Sequence, residues 1–373
     1  MKVQDFVRAT GAEFFSGVPD SQLKALCNYL YDNYKDADRH IIAANEGNAT
    51  ALAAGYYMAT GKVPMVYMQN SGIGNIINPA ASLLNEKVYG IPVIFTVGWR
   101  GEPGVHDEPQ HIFQGEVTIK LLEDMEIKTF IISKETAASE IEEFVKNSQS
   151  LFAEGKSVAF VVRKGALSYE GSPDYSNGFS LTRERAIEII SEKFAGDIII
   201  STTGKASREL FEIRERRGEA HGSDFLTVGS MGHSSSIALS VALQKKGSRI
   251  VCIDGDGACI MHMGSMAVAG NIAPENLVHI VLNNGSHETV GGEPTAARGL
   301  SLKDVARDLG YKITLEADSE ESLAGAIEKV KNYKQLSFIE VKTANGAREN
   351  LGRPTTTAKE NVEAFKKFLE EKS

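Results

Sequence analysis

The chain has 373 residues, with 40 lysines and arginines against 49 aspartates and glutamates and a formal net charge of −9. At roughly 100–200 residues per domain, that length predicts two domains, each able to bury a core of its own. The negative charge argues against nucleic acid or an anionic membrane as the main partner, while 42% hydrophobic content and charge of mixed sign exclude long disorder. Only three cysteines occur, Cys27, Cys252 and Cys259, with no Cys-x-x-Cys, so neither a disulfide framework nor a zinc knuckle is expected. Residues 1–15 lack the apolar core of a signal peptide and no 18-residue apolar stretch follows. The expectation is a cytoplasmic protein without a membrane span.

Taken in chain order, short apolar runs alternate with longer amphipathic stretches. Strands are predicted at 41–45, 63–69, 92–97, 127–132 and 158–163, then at 198–201, 250–253, 278–282 and 338–341. Helical stretches intervene at 48–60, 137–148, 182–194, 206–217 and 319–330, and the charged run 359–372 predicts a terminal helix. β-Branched strands buried on both faces and alternating with helices are the pattern of doubly wound parallel-sheet α/β domains. Around residue 170 the chain is rich in Gly, Ser, Pro and Asn and loses its apolar period, which reads as a linker. The predicted organisation is an α/β domain over 1–165, a linker over 166–180 and a second α/β domain over 181–373. No short repeat relates the halves, so any kinship is architectural.

Three strand ends carry the candidate chemistry. Gly255-Asp256-Gly257 closes one run and Asn283-Asn284-Gly285 the next. Either alone reads as a turn. Together they are stronger, because the 25 residues between Gly257 and Asn283 suit one βαβ crossover and open parallel sheets bind ligands at strand carboxyl ends. An Asp, an Asn and a loop carbonyl form an all-oxygen set, suited to a hard divalent cation that keeps sites for phosphate oxygens and water. Gly257 leaves room for a phosphate to approach the N–H groups opening the following helix. The pattern reads as a Mg2+–diphosphate clamp.

Two rival motifs fail. A dinucleotide fingerprint needs a third glycine where Ile260 stands, and a P-loop ending at Gly204-Lys205 has Ile199 for its first glycine and Ala206 for its Ser/Thr. The third strand end precedes Glu46, which opens a helix of small residues. It reads either as an acid complementing the helix dipole or as a buried carboxyl with a raised pKa, ready to exchange a proton.

Gly255-Asp256-Gly257 followed by Asn283-Asn284 resembles the cofactor signature of thiamine diphosphate enzymes, with Glu46 placed like their activating glutamate. Gly229-Ser-Met231-Gly232 resembles the turn whose apolar residue keeps that cofactor bent. More narrowly, strings along nearly the whole chain resemble the short subgroup of phosphonopyruvate and sulfopyruvate decarboxylases. They include Phe15-Ser-Gly-Val-Pro-Asp20-Ser21, Gly98-Trp-Arg-Gly, Asp107-Glu-Pro-Gln-His111, Thr203-Gly-Lys-Ala-Ser-Arg and Asn284-Gly-Ser-His287-Glu-Thr-Val-Gly-Gly-Glu-Pro-Thr295. The resemblance implies two doubly wound domains of the thiamine diphosphate-binding type with no middle domain. It implies that Asp256, the Asn284 side chain and the Ser286 carbonyl hold Mg2+. Gly204, Met231, Gly257 and Ala258, with Asn284 and Ser286, would line the thiamine diphosphate.

By the same resemblance, 3-phosphonopyruvate would be split into phosphonoacetaldehyde and CO2 in phosphonate biosynthesis. Sulfopyruvate or another 2-oxo acid is the alternative substrate, and a non-catalytic cofactor-binding module the remaining reading. Beside Glu46, the catalytic candidates are Asp20, His106 and His111; their plain readings are an Asx turn after Pro19 and solvated loop histidines. A substrate bearing both carboxylate and phosphonate needs local cations, for which guanidinium forks are suited. Arg100, Arg298, Arg348 and Arg353 each sit in a Gly-containing loop, and each also reads as a surface arginine. Arg100, His287 and Arg298 are the substrate-binding candidates. The resemblance further implies a homo-oligomer with active sites at subunit interfaces.

Overall fold

Twelve strands of three to seven residues form among the described residues, 1–288 and 290–372 of the computed structural model. They fall into two compact units. The first holds Met1–Asp174 with residues 290–293, and the second holds Tyr175–Glu288 with residues 294–372.

In the first unit the strands are β1 (Phe15–Gly17), β2 (His40–Ile42), β3 (Met65–Gln69), β4 (Ile94–Gly98), β5 (Lys128–Ile132) and β6 (Val158–Val162). All pairs are parallel, in the order β2-β1-β3-β4-β6-β5. Parallel strands need crossovers that lay helices on the sheet faces, so a central strand is apolar on both sides. In β3, Met65 and Tyr67 pack with Phe6, Phe15 and Phe160, while Val66 and Met68 face Ala49, Ala53 and Ile76. The chain leaves β1 for β2 on one side and returns to β3 on the other. The loops after β1 and β3 therefore diverge and open a crevice at the carboxyl ends.

The second unit contains β7 (Ile198–Ser201), β8 (Asp224–Leu226), β9 (Ile250–Gly255), β10 (Leu277–Asn283), β11 (Ile313–Ala317) and β12 (Ser337–Lys342). Its order is β8-β7-β9-β10-β12-β11, again all parallel. Raising each strand number of the first sheet by six reproduces it. The halves thus share one topology without a shared sequence repeat, and the second crevice opens between β7 and β9.

Nine of the twelve strands lie where the apolar runs predict them. β1 and β8 have only three residues each, too short for a periodic signal. β11 is half-exposed on an edge, so its apolar residues do not form a continuous run. Residues 41–45 end as a strand at Ile42, because Asn45 turns to cap the helix Glu46–Thr60, its side chain accepting from the Asn48 N–H at 2.8 Å. Between β6 and the helix Arg183–Lys193 the chain is irregular, apart from a bridge of Ser168 to Lys2, and no middle domain is inserted. The three cysteines are buried and unpaired. Among the described residues, no helix is long and apolar enough to cross a membrane.

Candidate active site

Asp20 lies in the loop after β1, at the crevice of the first sheet, and is fully buried. Its Oδ1 accepts from Gln69 Nε2 at 2.7 Å, and its Oδ2 from the N–H groups of Gln22 (3.1 Å) and Leu23 (3.3 Å). The Asx-turn reading is therefore satisfied, yet the side chain also reaches the end of β3. Burial raises its pKa, opposed by the Gln69 hydrogen bond.

Glu46 opens the helix after β2 and is 5% exposed. Its carboxyl turns off the helix axis toward the helix Ile73–Pro79, where Asn75 Nδ2 donates to Oε2 at 2.6 Å. A Cβ at Gly72 would come within 2.4 Å of Oε1, so only glycine permits this close seat. Burial raises the Glu46 pKa, with the Asn75 bond working against it. A desolvated acid with a single side-chain donor holds its proton more readily than an exposed glutamate, which suits it to proton exchange.

The other candidates of this unit differ in placement. His111 sits in the first turn of the helix Pro109–Asp124, 8% exposed, with Nδ1 lacking a partner. Burial, then the Arg100 charge, lowers its pKa. His106 is exposed, in a cleft whose acids are Glu102, Asp107 and Glu116. Arg100 is committed to Asp107 through Nε at 2.8 Å and Nη2 at 2.5 Å, while Nη1 reaches Ser21 Oγ at 3.1 Å.

Sequence reasoning passed over Glu293. It is 1% exposed and both carboxylate oxygens lack hydrogen-bond partners. Burial pushes its pKa up to about 7, with Lys24 lowering it and Asp20 raising it. It lay inside a string singled out for resemblance, but nothing local marks it as buried.

In the second unit, β9 and β10 are adjacent and parallel, with Gly255 opposite Leu282, so Asp256 and Asn284 follow neighbouring strand ends. Asp256 is 4% exposed; Thr295 Oγ1 donates to its Oδ2 at 2.5 Å, and burial pushes its pKa up to about 6. The Thr295 N–H in turn donates to the Gly285 carbonyl at 3.0 Å, which draws the two loops together. Asp254, two residues earlier, points into the core toward His279 Nε2 at 3.4 Å. That histidine's other nitrogen meets the Tyr311 hydroxyl at 3.2 Å. The donor cluster Cys252–Asp254–His279 is thus part of a buried hydrogen-bonded core.

The two asparagines are also told apart. Asn283 Nδ2 donates to Glu340 Oε1 at 2.7 Å and its Oδ1 accepts from the Gly285 N–H at 3.0 Å, so this side chain belongs to the core. Asn284 Nδ2 donates to Glu288 Oε2 at 2.9 Å, and its Oδ1 accepts from the Ser286 N–H at 3.0 Å. Gly204 precedes the helix Lys205–Arg217 with φ of 94°, at the crevice between β7 and β9. The Gly229–Gly232 turn has Ser230 at φ of 47°, an uncommon conformation for a residue with a side chain. A Cβ at Gly257 would meet Thr295 at 3.2 Å and His287 and Met231 at 3.4 Å. Those three side chains therefore bound a cradle over the start of the helix Asp256–Met261, beside Ala258. Burial lowers the His287 pKa to about 4, which keeps the ring neutral. Arg298 is exposed near Gly285, whereas Arg348 pairs with Glu184 at 3.0 Å.

Residues 3–140 match the N-terminal TPP-binding domain model of thiamine pyrophosphate enzymes, and residues 202–341 match the C-terminal one. The phosphonopyruvate decarboxylase of Streptomyces viridochromogenes is 32% identical, over 96% of this chain and 92% of that protein. This chain belongs to the phosphonopyruvate decarboxylase family of thiamine pyrophosphate enzymes. A second member, from Streptomyces hygroscopicus, is also 32% identical, over 97% of this chain and 91% of that protein. The sulfopyruvate decarboxylase of Methanosarcina acetivorans is 28% identical over 100% of this chain and 97% of that protein. The family is one of carboxy-lyases; the N-terminal match spans β1–β5 of the first sheet and the C-terminal match β8–β11 and most of β12 of the second.

Proposed function

We propose that the protein uses thiamine diphosphate and Mg2+ to decarboxylate 3-phosphonopyruvate, releasing CO2 and phosphonoacetaldehyde as a step of phosphonate biosynthesis. The observation that carries this reading is the Glu46 carboxyl, buried, seated against Gly72 and held by Asn75 in a chain of this family. The residues of the second unit fit the cofactor: the cradle over Gly257 is one that a Cβ would fill. The donors Asp256, Asn284 Oδ1 and the Ser286 carbonyl make an all-oxygen set that suits Mg2+ as an anchor for diphosphate. Gly204, Gly257 and Ala258 would border the diphosphate, and Met231 would keep the cofactor bent. Bound thiamine diphosphate supplies the electron sink that an acyl carbanion lacks.

The chain's own groups then handle protons and charge. With Oε2 occupied by Asn75, Glu46 holds and exchanges a proton at Oε1. Asp20, His106 and His111 are the candidates for the proton that replaces CO2, and His111 and Asp20 have the burial that makes such transfer specific. Of the arginines, Arg298 is exposed without an ion-pair partner among the described residues and is available to a phosphonate; the other candidates are His287, as a neutral hydrogen-bonding ring, and Arg100, already paired with Asp107. The full-length match to a sulfopyruvate decarboxylase keeps a sulfonate analogue as the second reading. Cytoplasmic residence and a homo-oligomer with active sites at subunit interfaces belong to the same proposal.

The test is CO2 release from phosphonopyruvate, sulfopyruvate and pyruvate at equal concentration, with cofactor and Mg2+. Phosphonopyruvate is expected to win clearly; preference for another acid discards the substrate assignment. Glu46→Gln is expected to fold, to bind cofactor and to lose at least about 100-fold in kcat. Undiminished turnover overturns the assignment of Glu46.

A further inference from the structure

The carboxamide of Asn284 has two ends of nearly equal size, and only one of them is a cation ligand. Its oxygen can bind a metal; its NH2 would repel one. Something must therefore select the end that faces the site. We propose that Glu288 is the positioning residue that does so, by binding the Asn284 NH2 and leaving Oδ1 turned to the cation. This rests on the reading of Asn284 as a cation ligand.

The geometry supports it atom by atom. Asn284 Nδ2 donates to Glu288 Oε2 at 2.9 Å, and its Oδ1 accepts from the Ser286 N–H at 3.0 Å, a weaker neutral bond that favours the same end and leaves the oxygen a lone pair for a cation. A carboxylate that only accepts cannot pair with the amide oxygen, so it selects the NH2 end. Glu288 is itself fixed. Arg183 Nη1 donates to the same Oε2 at 2.7 Å, and Lys205 Nζ donates to Oε1 at 2.9 Å. Arg183 is held in turn by Glu209, with Nε and Nη2 each at 2.8 Å. The Arg183, Glu209 and Glu288 side chains are 10%, 1% and 10% exposed, so these three are largely shielded from competing water, while Lys205 is 25% exposed. With both oxygens of Glu288 engaged by cations, it is pinned as a hydrogen-bond partner and withheld from the metal itself. Asn283 is held in the same way, its NH2 on Glu340 Oε1 at 2.7 Å, but within the core. Each asparagine of the pair thus has its own glutamate, although both side chains are buried. Groups behind a metal ligand commonly contribute 10–100-fold to metal affinity by such orientation.

The test is Mn2+ binding to the full-length protein with thiamine diphosphate present, read by electron paramagnetic resonance of free Mn2+, together with thermal melts. Glu288→Ala is expected to weaken Mn2+ by about 10-fold or more. Glu288→Gln retains an acceptor at the Oε2 position and is expected to weaken it less. The discriminating background is Asn284→Asp, whose two oxygens leave no wrong end to present. In that background, Glu288→Ala should leave Mn2+ affinity unchanged or improve it, because a carboxylate repulsion is removed. An equal loss from Glu288→Ala in both backgrounds overturns the proposal, since it would act through charge or folding. So does an unaltered affinity in the single variant. Asn284→Ala separates the two levels: if it leaves Mn2+ affinity intact, the cation-ligand reading of Asn284 fails. If it weakens Mn2+ while Glu288→Ala does not, only the positioning role fails.

Discussion

Glu46, Asp20 and Glu293 are three buried acids of the first unit, and they differ in how their oxygens are satisfied. Asp20 accepts from one side-chain and two backbone donors, Glu46 accepts from Asn75, and Glu293 has no hydrogen-bond partner. An unpartnered buried carboxyl is costly to ionise, so Glu293 carries its proton up to a pH of about 7. The linkage has a definite sign. In the unfolded chain a glutamate ionises near pH 4.5, and in the folded protein near 7, so stability falls as pH rises through that window and is level above it. Glu293→Gln keeps the shape without the charge. It is expected to match the parent in urea unfolding at pH 4 and to exceed it at pH 8, by up to about 3 kcal/mol. A variant equally stable relative to the parent at both pH values would show that Glu293 is ionised and compensated in the fold.

The helix Glu46–Thr60 has to serve two faces. Ala49, Thr50, Ala53 and Ala54 are buried on the sheet side, while Ala51, Leu52, Gly55, Met58 and Ala59 are exposed at intervals of three and four residues. Leu52 is 38% exposed and Met58 68%. An apolar stripe on the outer face of a helix that also carries Glu46 is the kind of surface that packs against another helix. A second copy of the chain is the partner that the expected homo-oligomer supplies. Placing charge there with Leu52→Glu and Met58→Lys together is expected to reduce the mass seen by sedimentation at micromolar concentration, with secondary structure intact. An unchanged sedimenting mass would remove this face from the interface.

At the scale of the molecule, one sheet topology is used twice, and each copy opens its crevice at the point where the strand order reverses. The first crevice is flanked by Asp20 and Gln69, the second by Gly204 and Asp256. A cofactor and cation that bind only the folded chain add stability by mass action, about 2.7 kcal/mol at one hundred times the dissociation constant. Thermal melts with thiamine diphosphate and Mg2+ are therefore expected several degrees above melts of the same protein with a chelator. Identical melting in both conditions would count against the cofactor reading of the whole chain.

Much of this was legible in the residues alone. Apolar runs marked nine strands, because burial on both faces is written residue by residue. Asp256 and Asn284 were legible as a pair, because one crossover length sets two strand ends side by side, and β9 and β10 are neighbours. Contacts between distant residues were decided only by tertiary structure: Asn75 on Glu46 across 29 positions, Thr295 on Asp256 across 39, and Arg183 on Glu288 across 105. The resemblance singled out the Asn284 side chain as the cation ligand, whereas the contact that separates it from Asn283, Glu340 on Asn283 across 57 positions, is visible only in the fold. The physical reason is the same in each case. Strand and helix patterns depend on neighbours along the chain, whereas the aim and protonation of a side chain depend on which groups the fold brings within hydrogen-bond reach.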